Sequence, residues 1–299
     1  MRLMEHSLAY IQKLREQGGP QLEHYEELEV WLSDIYNRVN NGDLGNTDVA
    51  LLREAFGEAF SLETMQGFAF LKPHGYAGDY EIIDRIYQTH VSPVPHLSNW
   101  DKYWQSTAAA EAVRNRKSYM HTVITDCLIT MAQRPLRILN VASGPGRDMY
   151  EYFQLTDSKD VQFICLEQDP KAIAFASSLC HEFMDRITFI PANVLRYKPE
   201  GQYQLVWSAG LFDYFDDKIF KRLLTRFLSV VDSGGQLVIG NFSDQNSTRP
   251  YMELCDWSLH HRSPKQLTSL AQECDIPSHR IHLGIEPAAV NLFLHIRCT

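Results

Sequence analysis

The chain has 299 residues, 44% apolar and 22% charged, an ordinary globular balance with length for one large domain or two modest ones. A net charge of −9 without any block of like charges argues against generic nucleic-acid binding, where affinity comes from neutralising phosphates. No apolar run approaches the roughly 20 residues of a membrane helix, and Met1 to His6 is no signal peptide, so a cytoplasmic protein off the membrane is expected.

The cysteines agree with that compartment. Cys127, Cys165, Cys180, Cys255, Cys274 and Cys298 are scattered, form no Cys-x-x-Cys pair, and read as buried free thiols. His260 and His261 are adjacent, so on a helix they would point about 100° apart, and no metal site is expected.

From Leu3 to about Met120 apolar residues recur at helical spacing: Leu3, Leu8, Ile11 and Leu14, then Leu28, Leu32, Ile35 and Val39. After the turn Asn41-Gly42-Asp43, Asn46-Thr47 is expected to cap a third helix running through Phe60. Residues 1–118 therefore read as an all-helical domain or cover. Within them lies the loop Pro73-His74-Gly75-Tyr76-Ala77-Gly78-Asp79, where two glycines allow close approach and Tyr76 and Tyr80 offer aromatic faces. Asp79 suits either a helix cap or a ligand's amino group, and His74 either a structural contact or a base. Arg114 and Arg116 suit structural ion pairs, or one of them could grip a carboxylate with two nitrogens.

Residues 119–299 alternate between strands and helices. Strands are expected at 137–141, 162–166, 187–190, 205–208, 236–240, 280–284 and 291–297, with helices at 147–154, 171–183, 218–230 and 264–273. Short apolar strands alternating with helices predict an α/β, doubly wound parallel sheet closed by two further strands. The first strand runs into Ala142-Ser143-Gly144-Pro145-Gly146, a small-residue turn that lets a nucleoside lie against bare backbone. About 20 residues on, the second strand ends in Glu167-Gln168, where a carboxylate can accept from both ribose hydroxyls. The dinucleotide pattern Gly-x-Gly-x-x-Gly is absent, and the helix opens on Arg147-Asp148-Met149. That acidic start argues against a pyrophosphate and suits a ligand with a positive centre and an amino acid end, such as S-adenosylmethionine.

The turn resembles the first motif of the class I S-adenosylmethionine-dependent methyltransferases, with Asn140 where an acid is usual and Ala142 at the first glycine. The resemblance implies a Rossmann-like seven-stranded sheet. It places the cofactor on Asn140, Ala142, Ser143, Gly144, Gly146, Asp148, Glu167 and Gln168, on Asn193 and Val194 after the third strand, and on Ser208 and Gly210 after the fourth. A narrower likeness covers about 70–297 and rests on four ordered stretches: Lys72–Tyr80, Ala112–Arg116, Ser208–Tyr214 and Gly240–Ser243. Together they are similar to the extracellular-factor, 3-hydroxypalmitate methyl ester biosynthesis family of bacterial methyltransferases. That implies methylation of a small or acyl carboxylic acid, with the helical region over the cofactor pocket.

A sulfonium methyl is already activated, so the protein has mainly to align nucleophile, methyl and sulfur and exclude water. An ionised carboxylate needs no base, whereas a hydroxyl acceptor would lose its proton to His74, Asp213 or Tyr214. Tyr76, Tyr80 and Tyr214 could stabilise the sulfonium through their ring faces. Tyr76, Tyr80, Asp213 and Tyr214 are thus the candidate catalytic residues. Two competing readings use the same pocket. One is a cyclase that closes a ring within the cofactor and releases methylthioadenosine; the other is a non-catalytic sensor, favoured by Asn140 and Ala142. A small-molecule partner is expected in each case, and oligomeric state is not indicated.

Overall fold

A computed structural model describes residues 2–298. Its polypeptide packs as two compact units, one formed by residues up to Glu111 with Ser247–Ser258, the other by Ala112–Asn246 with residues from Leu259 onward. A single cut at 118/119 does not describe this division. The boundary falls inside one long helix, Ala108–Thr130, and the helical unit takes in a segment from late in the chain.

The helical unit contains α1 (Arg2–Glu16), α2 (Tyr25–Asn40), α3 (Asn46–Ala55), α4 (Met65–Leu71), α5 (Tyr80–Tyr87) and α6 (Ser98–Ser106). Its core includes Ile11, Leu14, Leu28, Leu32, Ile35, Leu52, Phe56 and Trp100, so most of the early apolar residues at helical spacing mark a buried face; Val39, at the last turn of α2, is 39% exposed, and the side chain of Leu3 lies outside the described residues. The third helix starts and stops differently from the sequence expectation. Gly45, not Asn46, is its N-cap, and the Gly45 N–H donates to Asp48 Oδ2 at 2.9 Å. The helix ends at Ala55 because Gly57 turns left-handed at φ +55°, and a 3₁₀ turn, Gly57–Phe60, follows. The late segment contributes a short helix, Arg249–Leu254, whose Leu254 carbonyl accepts from Arg53 Nε at 2.7 Å.

The second unit is built on seven strands: β1 (Leu136–Val141), β2 (Val161–Glu167), β3 (Ile187–Pro191), β4 (Tyr203–Ser208), β5 (Val231–Phe242), β6 (Ile281–Ile285) and β7 (Asn291–Arg297). Their order is β3-β2-β1-β4-β5-β7-β6, with β7 antiparallel to both neighbours and all other pairs parallel. Successive side chains point to opposite faces, and both faces are covered. Leu139 and Val141 face one apolar cluster with Phe220, Leu223, Leu224 and Leu267, while Ile138 faces another with Met120, Ile124, Phe153 and Trp207. The second cluster is why the long helix belongs to this unit from Ala112: its Met120, Val123, Ile124 and Cys127 line the sheet. Strand order reverses between β1 and β4, which opens the crevice at the carboxyl ends where α/β sheets bind ligands.

Candidate cofactor and acceptor site

The bend after β1 continues the parallel ladder for one residue, with Ala142 N–H donating to Leu166 O at 2.8 Å. Ala142 then takes φ +56°, a left-handed conformation that a Cβ makes costly, and Gly144 and Gly146 follow at +55° and +69°. The two glycines serve different ends. A side chain on Gly146 would lie 3.0 Å from Ala176 Cβ and 3.1 Å from Met149 Cε, so this glycine is needed for packing. A Cβ on Gly144 would meet nothing within 4 Å, so it faces open space. The same strand end and bend carry two buried polar atoms. Asn140 Nδ2 has no partner, and Ser143 Oγ has no hydrogen-bond partner either. Asp148, at the start of the helix Arg147–Thr156, accepts from Met149 N–H at 2.9 Å, and burial pushes its carboxyl up to about 6.

Glu167 stands opposite that bend. One oxygen accepts from Gly144 N–H at 3.0 Å and the other from Gln168 and Asp169 N–H at 2.7 and 3.0 Å. Three backbone donors fix the carboxylate's orientation, yet two oxygens with about four lone-pair sites retain capacity for a further donor. Gln168 Oε1 accepts from Asn193 Nδ2 at 2.6 Å, which ties the ends of β2 and β3 together, and Asn193 Oδ1 closes a turn onto Leu195 N–H. The carbonyls of Val194, Leu195 and Tyr197 all accept from Arg226 Nη1, at 2.9, 3.1 and 3.2 Å. Arg226 carries no local motif, so its hold on this loop was unreadable from the sequence.

The carboxyl ends of β4 and β5 are braced by side chains. Ser208 Oγ donates to Val141 O at 3.1 Å, pinning β4 to β1. Gly240 is required there because a Cβ would come within 2.5 Å of Ala209 O. Asp213 is enclosed at 1% exposure and its Oδ1 accepts from Phe242 N–H at 2.5 Å. Burial pushes its carboxyl up to about 6, against the opposing pull of Arg116, the Phe242 N–H and Arg262. Arg262, which the sequence reading passed over, donates to Asn241 Oδ1, to Asp217 Oδ1 and to the Phe212 and Phe215 carbonyls. Tyr214 sits half-buried in the same short 3₁₀ turn, Phe212–Tyr214.

Tyr76, Asp79 and Tyr80 belong to the helical unit. Asp79 is the N-cap of α5: one carboxylate oxygen accepts from Glu81 and Ile82 N–H at 2.9 and 3.0 Å. Tyr80, half-buried, is the first residue of that helix, and its ring lies 4.7 Å from the His74 ring. His74 Nε2 is 2.9 Å from Glu81 Oε2, a contact internal to this unit. Tyr76 is half-buried in the loop between α4 and α5.

Residues 138–235 match the family model described as a methyltransferase domain. Over that stretch, about a third of the chain, the sequence is similar to a methyltransferase domain. The seven-stranded sheet with the antiparallel β7 is the class I Rossmann-like methyltransferase fold. Among solved structures, a Bordetella parapertussis protein described as a possible exported protein is similar at TM-score 0.60 and 15% identity, covering 99% of this chain and 96% of that one. The S-adenosylmethionine-dependent methyltransferase SibL in its apo form is similar at TM-score 0.51 and 14% identity, over 89% and 77%. An O-methyltransferase family 2 protein from Planctomyces limnophilus, in complex with apigenin, is similar at TM-score 0.50 and 11% identity, over 94% and 97%. No curated protein matches the sequence. Among the described residues no helix is long and apolar enough to cross a membrane.

The residues present fit a cofactor such as S-adenosylmethionine. Asn140 Nδ2 and Ser143 Oγ are enclosed without partners, and such atoms are unfavourable unless something completes them. Ser143 immediately precedes Gly144, which presents backbone to open space and is steadied by the Glu167 carboxylate.

Proposed function

We propose that the chain transfers the methyl group of S-adenosylmethionine to an oxygen of a small or acyl carboxylic acid. The observation that carries this reading is the pairing of Glu167 with Gly144 across a bend whose Asn140 and Ser143 hold enclosed polar atoms without hydrogen-bond partners. Glu167 would hold the ribose hydroxyls. Gly144 and Ser143 would lie along the aminobutyryl chain, and Asp148 would attract its ammonium end. Asn193 and Val194 would border the adenine, on a loop held by Arg226. The donor supplies an activated methyl, so the protein's task is alignment and exclusion of water. A carboxylate acceptor suits this chain because it is already ionised, and Asp213, the acid nearest the acceptor side, is committed to the Phe242 N–H. Tyr214 is the aromatic candidate within the sheet unit for contact with the sulfonium. Six free cysteines suit work in the reducing cytoplasm.

The test is product analysis after incubation with S-adenosylmethionine, with and without a panel of carboxylic acids. Acid-dependent S-adenosylhomocysteine together with a methyl ester is the expected result. Methylthioadenosine formed without any acid would replace this reading with intramolecular ring closure. Intact cofactor under every condition would favour a sensor.

A further inference from the structure

We propose that Arg116 is a carboxylate anchor in the crevice at the ends of β4, β5 and β7. The proposal rests on the methyltransferase reading above and deepens it by naming the group that the site recognises.

Arg116 is 7% exposed. Its Nε donates to Asn291 Oδ1 at 2.9 Å, and its guanidinium carbon lies 4.8 Å from the centre of the Phe242 ring. Those two contacts fix the plane and one edge of the group. Among the described residues, the other edge, with the terminal Nη1 and Nη2, has no hydrogen-bond acceptor and no carboxylate within ion-pair distance. Nη1 would be 2.8 Å from a side chain placed on Gly210, so the missing side chain there leaves the fork its room. Arg262 provides the contrast within the same unit. It is as deeply buried, yet its guanidinium makes five hydrogen bonds and pairs with Asp217. Asp213 is the acid that feels Arg116 most directly, but its carboxyl is held by the Phe242 N–H.

A guanidinium held in place on one edge, with its planar fork left to the remaining opening, matches one ligand chemistry well, the two oxygens of a carboxylate. Two sources carry that group to this crevice: the acceptor acid, or the aminobutyryl carboxylate of the donor. Either way the chemistry is a bidentate, charge-assisted pair.

Calorimetry on wild type, Arg116→Gln and Arg116→Lys tests this. One arm titrates S-adenosylhomocysteine and 5′-methylthioadenosine, which lacks the carboxylate. The other titrates benzoate and hexanoate against their amides, with S-adenosylhomocysteine saturating. Acceptor recognition predicts acid affinity at least 30-fold weaker in Arg116→Gln, amide binding unchanged, and S-adenosylhomocysteine affinity within threefold of wild type. Cofactor recognition predicts at least a 30-fold loss for S-adenosylhomocysteine and none for methylthioadenosine. Gly210→Ala, which sets a methyl against Nη1 while keeping the charge, should reproduce the same selective loss if Arg116→Gln does not fold. Variants that bind every probe as wild type does, or lose both nucleosides equally, overturn the anchor. A wild-type protein that binds neither S-adenosylhomocysteine nor any acid overturns the methyltransferase reading as well.

Discussion

Glu167 and Asp213 stand at the carboxyl ends of strands on either side of β1, and the sheet treats them in opposite ways. Glu167, at the end of β2, is aligned by three backbone N–H groups around a bend made of small residues. Asp213, beyond the end of β4, is sealed at 1% exposure, holds the Phe242 N–H, and lies between the charges of Arg116 and Arg262. Hydrogen bonds from backbone leave a carboxylate's remaining lone pairs pointing outward, whereas enclosure among side chains turns the same group into a brace. On the proposed reading the Glu167 carboxylate meets a ligand directly, whereas Asp213 holds rigid the wall beside which the Arg116 fork lies.

The contrast can be broken most forcefully at Arg262. Truncating it leaves Asn241 and two carbonyls without their donor, so Arg262→Ala should cost about 3–5 kcal/mol of stability. Denaturant unfolding measures that loss. The folded fraction should still bind S-adenosylhomocysteine within threefold of wild type, and a large loss of affinity at unchanged stability would erase the distinction between wall and receptor.

Glu167→Ala should do the reverse. On the proposed reading it removes two charge-assisted bonds to ribose besides the brace on Gly144, each on the order of 1.5–3 kcal/mol, so affinity for S-adenosylhomocysteine should fall at least 100-fold in calorimetry. The accompanying loss of stability should be smaller than for Arg262→Ala.

A finer probe is pH. The Asp213 carboxyl is pushed from an ordinary 3.8 up to about 6, so the native state binds its proton more tightly than the unfolded chain does. Its contribution is fully present below about 3.8 and is lost as pH rises through about 6. Asp148 and Asp101 are raised to about 6 as well and titrate in the same window. Asp213→Asn, which can still accept from Phe242 N–H, should therefore remove part of the decline in stability between pH 4 and 6. Urea midpoints at the two ends of that window measure it, and a slope identical to wild type would show that enclosure does not strain this acid.

Much of the sheet unit was legible because its signals are local. The strand β1, the glycine bend and Glu167 sit where apolar runs, small residues and a spaced acid put them, and all seven strands lie where short apolar runs predicted them. The resemblance to class I methyltransferases was carried by the same bend, and residues 138–235 match that domain. Helix ends were less legible. Gly57 stopped α3 short of Phe60 because a left-handed glycine outweighs the continuing apolar pattern.

The sequence by itself determined the seven strands and the helices between them, the bend at 142–146 and the acid that faces it, since each depends on neighbours within a few residues or one βαβ step. Only the tertiary structure decided that Arg226 holds the loop after β3, that Arg262 is satisfied while the fork of Arg116 is not, and that Asp213 is enclosed. It also decided that 247–258 packs with the helical unit. Those outcomes depend on which residues far apart in the chain come to share one low-dielectric space, and neither spacing nor composition records that.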